Sequence, residues 1–320
     1  IFDCLVGSEM CIRDSPEHAQ ATGTGRRMNA TQTVGADWEL DFYSRPILET
    51  DGRKRWELLI TATPAADAKK TPFRFSKRCP SGEVNSIWLS FALAEARQCA
   101  LDAGWPAPRR LRCWRSSMRT MVQRAATELD LEMIASRRTY ALLDWLQQRE
   151  QEVYPQEEGF MAGPLAPPPA PIATPPVPLP EEVQGDAWSW ASLPADLLRD
   201  ASDWPSSFSG LLPLPEGLDI DQSVPGLRLF SSSRALAMAG WLGGLEPVRL
   251  LVEGRQLVLE AGQDDRWLVS DLDSAAADAI AGDLGRSKER GKGLQFIAIQ
   301  TSPDEQAFAG FWMMRDIATL

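Results

Sequence analysis

The stretch Trp38-Glu39-Leu40-Asp41-Phe42-Tyr43-Ser44-Arg45-Pro46 reads as a β-strand. Side chains alternate across a strand, so Trp38, Leu40 and Phe42 share one face and Glu39, Asp41 and Tyr43 the other. Proline donates no ladder hydrogen bond, and Pro46 therefore predicts an edge or terminating strand. An apolar face on one side predicts helices packed there. The opposite face, with Asp41 and Tyr43, is expected to meet solvent, as an active-site strand or as a plain edge.

The flanking sequence extends this reading. Strand-like runs follow at Arg55–Thr61 and Phe73–Lys77, with Asp51-Gly52 as the turn of a first hairpin. A helix is predicted over Asn85–Leu101, burying Ile87, Trp88, Phe91 and Leu93 or Ala94. Next come a strand over Arg110–Arg115 and a helix with Met118, Met121, Val122, Ala125, Ala126 and Leu129 on one face. A short strand over Leu131–Ala135 and a helix over Tyr140–Glu152 complete the order β-β-β-α-β-α-β-α. Three strands in a meander followed by alternating helices and strands predict a mixed sheet of the ribonuclease H-like kind.

Proline then dominates. Gly163 to Pro180 reads as an extended, semi-rigid polyproline spacer. Beyond it, strands are predicted over Trp188–Leu193, Val248–Val252, Gln256–Glu260, Arg266–Asp271, Leu294–Gln300 and Phe308–Met314. Helices are predicted over Ser232–Leu242, ended by Gly243-Gly244, and over Ala275–Leu284. The expected organisation is an N-terminal domain over 28–154, a linker over 155–185 and a second α+β domain over 186–320. Residues 1–27 are set apart: Ser8 to Ser15 is similar to translated adapter sequence, and Met28 is the expected start.

Charge divides along the same line. The net charge is −11, but residues 28–154 carry 19 Lys and Arg against 16 Asp and Glu, and residues 155–320 carry 11 against 24. A mildly basic domain precedes a strongly acidic one, so the overall charge conceals a possible anion-binding surface. The only histidine is His18, outside the expected domains, which removes Ser-His-Asp, Cys-His and His-metal chemistry. The five cysteines show no Cys-x-x-Cys pair, so neither a zinc site nor a disulfide framework is expected. No apolar run approaches the ~18 residues of a membrane span. Neither a metal nor another cofactor is expected.

Two site chemistries follow. Arg112, Arg115, Arg119, Arg137 and Arg138, with Arg45 on the first strand, suggest a positive face for phosphates, and Trp114, Tyr43 and Tyr140 offer stacking surfaces for unpaired bases. The alternative is a metal-dependent nuclease holding divalent ions between Asp41, Glu95 and Asp144, with Glu57 on the neighbouring strand. The strand Arg110–Arg115 offers arginines where a further acid should stand, which weakens that alternative. A third reading is a protein-binding assembly scaffold.

Several separate words decide among these. Trp38–Pro46, Asn85-Ser86-Ile87-Trp88-Leu89, Ser136–Leu142 and Val153–Glu157 resemble the Tab-two/Atab-two family, as do Gly243–Pro247, Glu260–Trp267 and Phe308–Trp312. The resemblance covers residues 37 to about 315. It implies a non-enzymatic RNA-binding protein of cyanobacteria or chloroplasts that supports translation of a photosystem I reaction-centre messenger. It implies a cyanobacterial cytoplasm or a chloroplast stroma as the compartment. RNA is the expected partner, and the acidic second domain is expected to orient the first or to contact a protein.

Overall fold

The structure is a computed structural model that describes residues 35–68, 71–162 and 174–317. The expected leader and most of the proline-rich spacer lie outside the described residues. The first sheet has the order β3-β2-β1-β4-β5, built from β1 (Asp37–Leu48), β2 (Lys54–Ala62), β3 (Arg74–Cys79), β4 (Arg110–Cys113) and β5 (Glu132–Ala135). β2 is antiparallel to β1 and to β3, whereas β4 runs parallel to β1 and β5 parallel to β4. β1 is thus central. Pro46 is accommodated by a register irregularity between Ser44 and Leu48, the kind of place where a strand interior tolerates proline.

Both faces of this sheet are covered. Trp38, Leu40 and Phe42 pack with Leu58, Ile60 and Leu111 beneath α1 (Ser86–Asp102) and α2 (Arg119–Thr127). Ile47 and Leu59, on the opposite side, pack with Leu142, Leu143, Trp145 and Leu146 of α3 (Tyr140–Gln148). The acids of β1 therefore do not meet solvent as expected: Glu39 and Asp41 are buried.

Asn85 starts α1, its side-chain oxygen accepting from the Trp88 N–H at 2.9 Å. Such a cap is worth about 1 kcal/mol. The inward face is Leu89, Ala92, Leu93, Ala96 and Ala100, whereas Ile87 and Phe91 are 63% and 71% exposed. Small alanines let α1 lie close to the sheet and to α2, and this rotation turns the larger side chains outward. The expectation that Ile87 and Phe91 are buried is corrected.

After α3 the chain passes through tight turns to Tyr154 and returns to β1, where the Leu48 N–H donates to the Gly159 carbonyl at 2.8 Å. The second half forms two further sheets. One has the order β10-β11-β12-β6, from β6 (Val177–Pro178), β10 (Pro247–Glu253), β11 (Gln256–Ala261) and β12 (Asp265–Asp271). The other has the order β7-β9-β13-β14-β8, from β7 (Ala187–Pro194), β8 (Ser206–Gly210), β9 (Ser223–Phe230), β13 (Leu294–Gln300) and β14 (Phe308–Arg315).

Helices α4 (Ala235–Leu245) and α5 (Ser274–Arg290) share a core with these sheets through Met238, Leu242, Ile280, Leu257 and Met314. The chain is mixed α+β throughout. Gly243-Gly244 does not end α4, which continues to Leu245 and closes on Glu246 in the left-handed conformation at φ 57°. β6, β8 and β9 are strands beyond those expected from the sequence.

Candidate nucleic-acid interface

The sequence predicts arginines lining an open surface, yet Arg45 and Arg112 are buried and Arg115, Arg137 and Arg138 are half-buried. On β4, Arg112 points to the face away from α1, where its Nε and Nη2 donate to the two carboxylate oxygens of Glu246 at 2.6 and 2.9 Å. Its Nη1 donates to Asp37 at 3.2 Å. The Ser136 hydroxyl donates to the same Glu246 at 3.1 Å. Burial disfavours an ionised Glu246, but the hydrogen bonds and charge of Arg112 outweigh it and hold the carboxyl below its usual range.

The loop from β5 to α3 continues the contact. Arg137 donates through Nη1 to Glu260 of β11 at 2.9 Å, and its backbone N–H donates to the Gly262 carbonyl at 2.9 Å. Gly262 sits at φ +54°, a turn geometry that glycine adopts without steric cost. Arg138 donates to three carbonyls of the second half: Pro247 at 2.7 Å, Met313 at 2.9 Å and Gly210 at 2.9 Å. A Cβ on Gly210 would stand 2.3 Å from Trp312 and 3.2 Å from the Arg138 guanidinium, so glycine is what lets these groups close.

Tyr140 donates its hydroxyl to the Val248 carbonyl at 2.8 Å, and the Gln263 amide donates to the Trp114 carbonyl at 3.0 Å. Arg315 of β14 reaches back to Asp144 of α3 at 2.6 Å. Together these side chains bind the two halves of the chain to each other.

A second buried network surrounds Asp41. Its carboxylate accepts from Arg45 Nη1 at 2.7 Å and Arg115 Nε at 2.5 Å. Burial alone would raise its pKa, but these two guanidinium groups hold it below the usual carboxylate value. Arg45 also reaches Glu57 at 3.3 Å, which in turn accepts from the Tyr154 hydroxyl at 2.6 Å and Arg149 at 2.7 Å. The Arg115 guanidinium lies 4.0 Å from the ring centres of both Tyr43 and Trp114, a cation–π sandwich.

The expected set divides accordingly. Arg45, Arg112 and Arg115 are engaged with carboxylates in the interior, because two charges taken out of water hold each other there. Arg138 caps backbone carbonyls, and Tyr43 lies under Arg115. Only Arg119, in the first turn of α2, is exposed with no ion pair among the described residues. The single open positive face is therefore corrected to a junction. Trp114, Arg137 and Tyr140 do come together, at a narrow cleft between the two halves that Arg249 and Arg315 also line.

The alternative nuclease set is not assembled. Asp41 is fully buried between arginines, Glu95 pairs with Lys77 on the α1 side of the sheet, and Asp144 pairs with Arg315 at the junction. Among the described residues, no three His, Cys, Asp or Glu side chains converge as metal ligands would.

Glu246, Glu260, Gln263, Arg249 and Arg315 were missing from the sequence-based set. Three of them sit in or beside words already singled out, Gly243–Pro247 and Glu260–Trp267.

Comparison with known proteins agrees with this two-part construction. Residues 37–149 match the family described as RNA-binding protein Tab2/Atab2 N terminal. Residues 167–315 match RNA-binding protein Tab2/Atab2, C-terminal domain. "Protein TAB2 homolog, chloroplastic" from Zea mays is 35% identical over 292 residues, covering 88% of this chain and 72% of the relative. The protein of the same description from Arabidopsis thaliana is 33% identical over 291 residues, covering 88% and 75%. With both domains matched in order around a junction that joins them, the chain belongs to the Tab2/Atab2 family of RNA-binding proteins.

Proposed function

We propose that the chain is a non-enzymatic RNA-binding factor that supports translation of a photosystem I reaction-centre messenger, and so photosystem biogenesis. The observation that carries this is the presence of both family domains in one chain, in order. The compartment that fits is a chloroplast stroma or a cyanobacterial cytoplasm. No helix among the described residues is long and apolar enough to cross a membrane. The sheet order β3-β2-β1-β4-β5, with only β2 antiparallel, supports reading the N-terminal domain as ribonuclease H-like. In that reading, arginines 45 and 115 take up the first-strand acid that a nuclease would use to hold metal.

The acidic domain orients the basic one through Glu246 and Glu260, and its remaining carboxylates offer a contact for a protein partner. RNA binding driven by phosphate neutralisation releases counterions, so affinity should fall steeply with salt. Fluorescence anisotropy of the full chain with a labelled single-stranded RNA, across about 50 to 200 mM salt, tests this. A salt-independent affinity, or loss of the RNA to cleavage on adding Mg²⁺, would overturn the reading.

A further inference from the structure

The cleft between the domains is lined by Trp114, Arg137, Tyr140, Arg249 and Arg315 on an apolar floor that includes Leu143. Its chemistry is one-sided. Three guanidinium groups line it and, among the described residues, no carboxylate does. Trp114 is only 8% exposed, and its indole N–H is buried with no acceptor. The Nε–H of Arg137 is buried without an acceptor as well. Native proteins pair nearly all such donors, because a buried donor left unpaired has lost its bond to water. Trp114 and Arg137 both line the cleft, and a group that accepts hydrogen bonds there would satisfy both donors.

Charge gives the same answer. The lining guanidiniums are held from behind by Glu260, Asp316 and Asp144. Those carboxylates are shared, Glu260 also with Arg266 and Asp316 also with Lys288. Arg266 is also held by Glu253, so five cations stand against four carboxylates, and none of those carboxylates lines the cleft. The carboxylates also fix the guanidinium planes, so little side-chain freedom remains to be lost on binding.

We propose that this junction cleft binds a phosphate group, supplied by the RNA backbone, with the Trp114 indole N–H and the Arg137, Arg249 and Arg315 guanidiniums as donors. The proposal rests on the RNA-binding reading for the source of the phosphate. It gives the two-domain construction a purpose: each half supplies part of the site, Trp114 and Arg137 from one and Arg249 and Arg315 from the other. RNA seated there holds the halves together as the ion pairs do.

Trp114→Phe is the sharpest probe, because it keeps an aromatic ring and deletes the N–H. A merely structural indole loses packing against Arg115 and the surrounding core, so stability falls while phosphate and RNA affinity stay unchanged. A phosphate donor loses a bond to an anion, and affinity falls by about tenfold. Calorimetric titration of the full-length protein with inorganic phosphate, against chloride at matched ionic strength, is compared for the wild type, Trp114→Phe and Arg315→Gln. RNA anisotropy is run on the same samples.

Weaker phosphate and weaker RNA binding in both variants is the expected result. Weaker phosphate binding with unchanged RNA binding overturns the RNA source and leaves a site for free phosphate. Equal phosphate binding in all three proteins, or none in the wild type, overturns the site. RNA binding by the wild type in that same series then separates failure of the cleft from failure of the RNA-binding reading.

Discussion

Arg112 and Glu246, 134 positions apart in sequence, meet in a two-pronged ion pair at 2.6 and 2.9 Å where the two halves of the chain join. Their side chains are 5% and 14% exposed, so this pair is far drier than a surface salt bridge. Removing Glu246 leaves the buried Arg112 with only its longer contact to Asp37, at a cost of about 3 kcal/mol, the low end for a broken buried pair. Glu246→Gln should therefore lower the urea midpoint strongly and, by loosening the junction, split a single calorimetric transition into two. Arg112→Met with Glu246→Leu should recover most of the loss, since apolar pairs of similar volume replace buried ion pairs well. A Glu246→Gln protein within about 0.5 kcal/mol of wild type would show that the pair contributes no more than an exposed contact.

Asp41→Asn separates the structural role of this acid from a catalytic one. The folded carboxyl titrates below its ordinary value of 3.8 because Arg45 and Arg115 stabilise its charge against the effect of burial. A depressed pKa contributes stability that is complete above the unfolded value and is lost as pH falls through the folded one. The wild type should thus lose stability below about pH 4, and Asp41→Asn should be less stable at neutral pH with a flatter acid limb. Urea midpoints between about pH 2.5 and 7 check this. A variant with wild-type stability at neutral pH would contradict the role given to the Arg45–Asp41–Arg115 cluster.

Much of the N-terminal sheet was legible in sequence, because its strands alternate cleanly and its helices repeat apolar side chains at helical spacing. Asn85, which caps α1, falls at the predicted start of that helix. What periodicity does not carry is what covers a face. Glu39 and Asp41 have the pattern of a solvated edge, but α3 and the arginines of β4 and its following loop lie over them. Arg112, Arg137 and Arg138 have the spacing of a basic surface, but their partners lie more than 70 residues away. An unpaired cation and a buried one look identical until the acid that meets it is placed. β6 is two residues long and proline-containing, and β8 has Phe208 as its one large apolar side chain, so neither shows an alternation.

The outward turn of α1 gives a comparison within one helix. Phe91 is 71% exposed, and Leu93, two positions on, is fully buried. Phe91→Ser should change stability by no more than about 0.5 kcal/mol, as surface substitutions do. Leu93→Ala should cost about 2–5 kcal/mol through lost burial and the cavity it leaves. Denaturant unfolding of both variants decides the orientation. Equal losses would favour the orientation expected from the sequence, with Phe91 in the core.

Glu39 predicts a pH dependence of opposite sign to that of Asp41. Its carboxylate accepts from the Leu142 N–H at 2.8 Å and the Thr63 hydroxyl at 3.0 Å inside the junction between β1 and α3. Burial pushes its pKa from 4.5 up to about 7, against those hydrogen bonds and the charge of Arg112, while Asp144 pushes the same way as burial. Between those values the folded chain holds a proton that the unfolded chain releases, so stability falls as pH rises from about 4.5 to about 7 and then levels off. A gap of that width corresponds to about 3 kcal/mol. Glu39→Gln is neutral throughout, and its amide can accept from Leu142 while donating to Thr63. The variant should therefore be flat from about pH 5 to 8 and more stable than wild type at about pH 8. The acid limb due to Asp41 lies below this window, so the two effects separate in one series of urea midpoints. A wild type with no decline between pH 5 and 7, or a variant that keeps the decline, would assign the titration to another group.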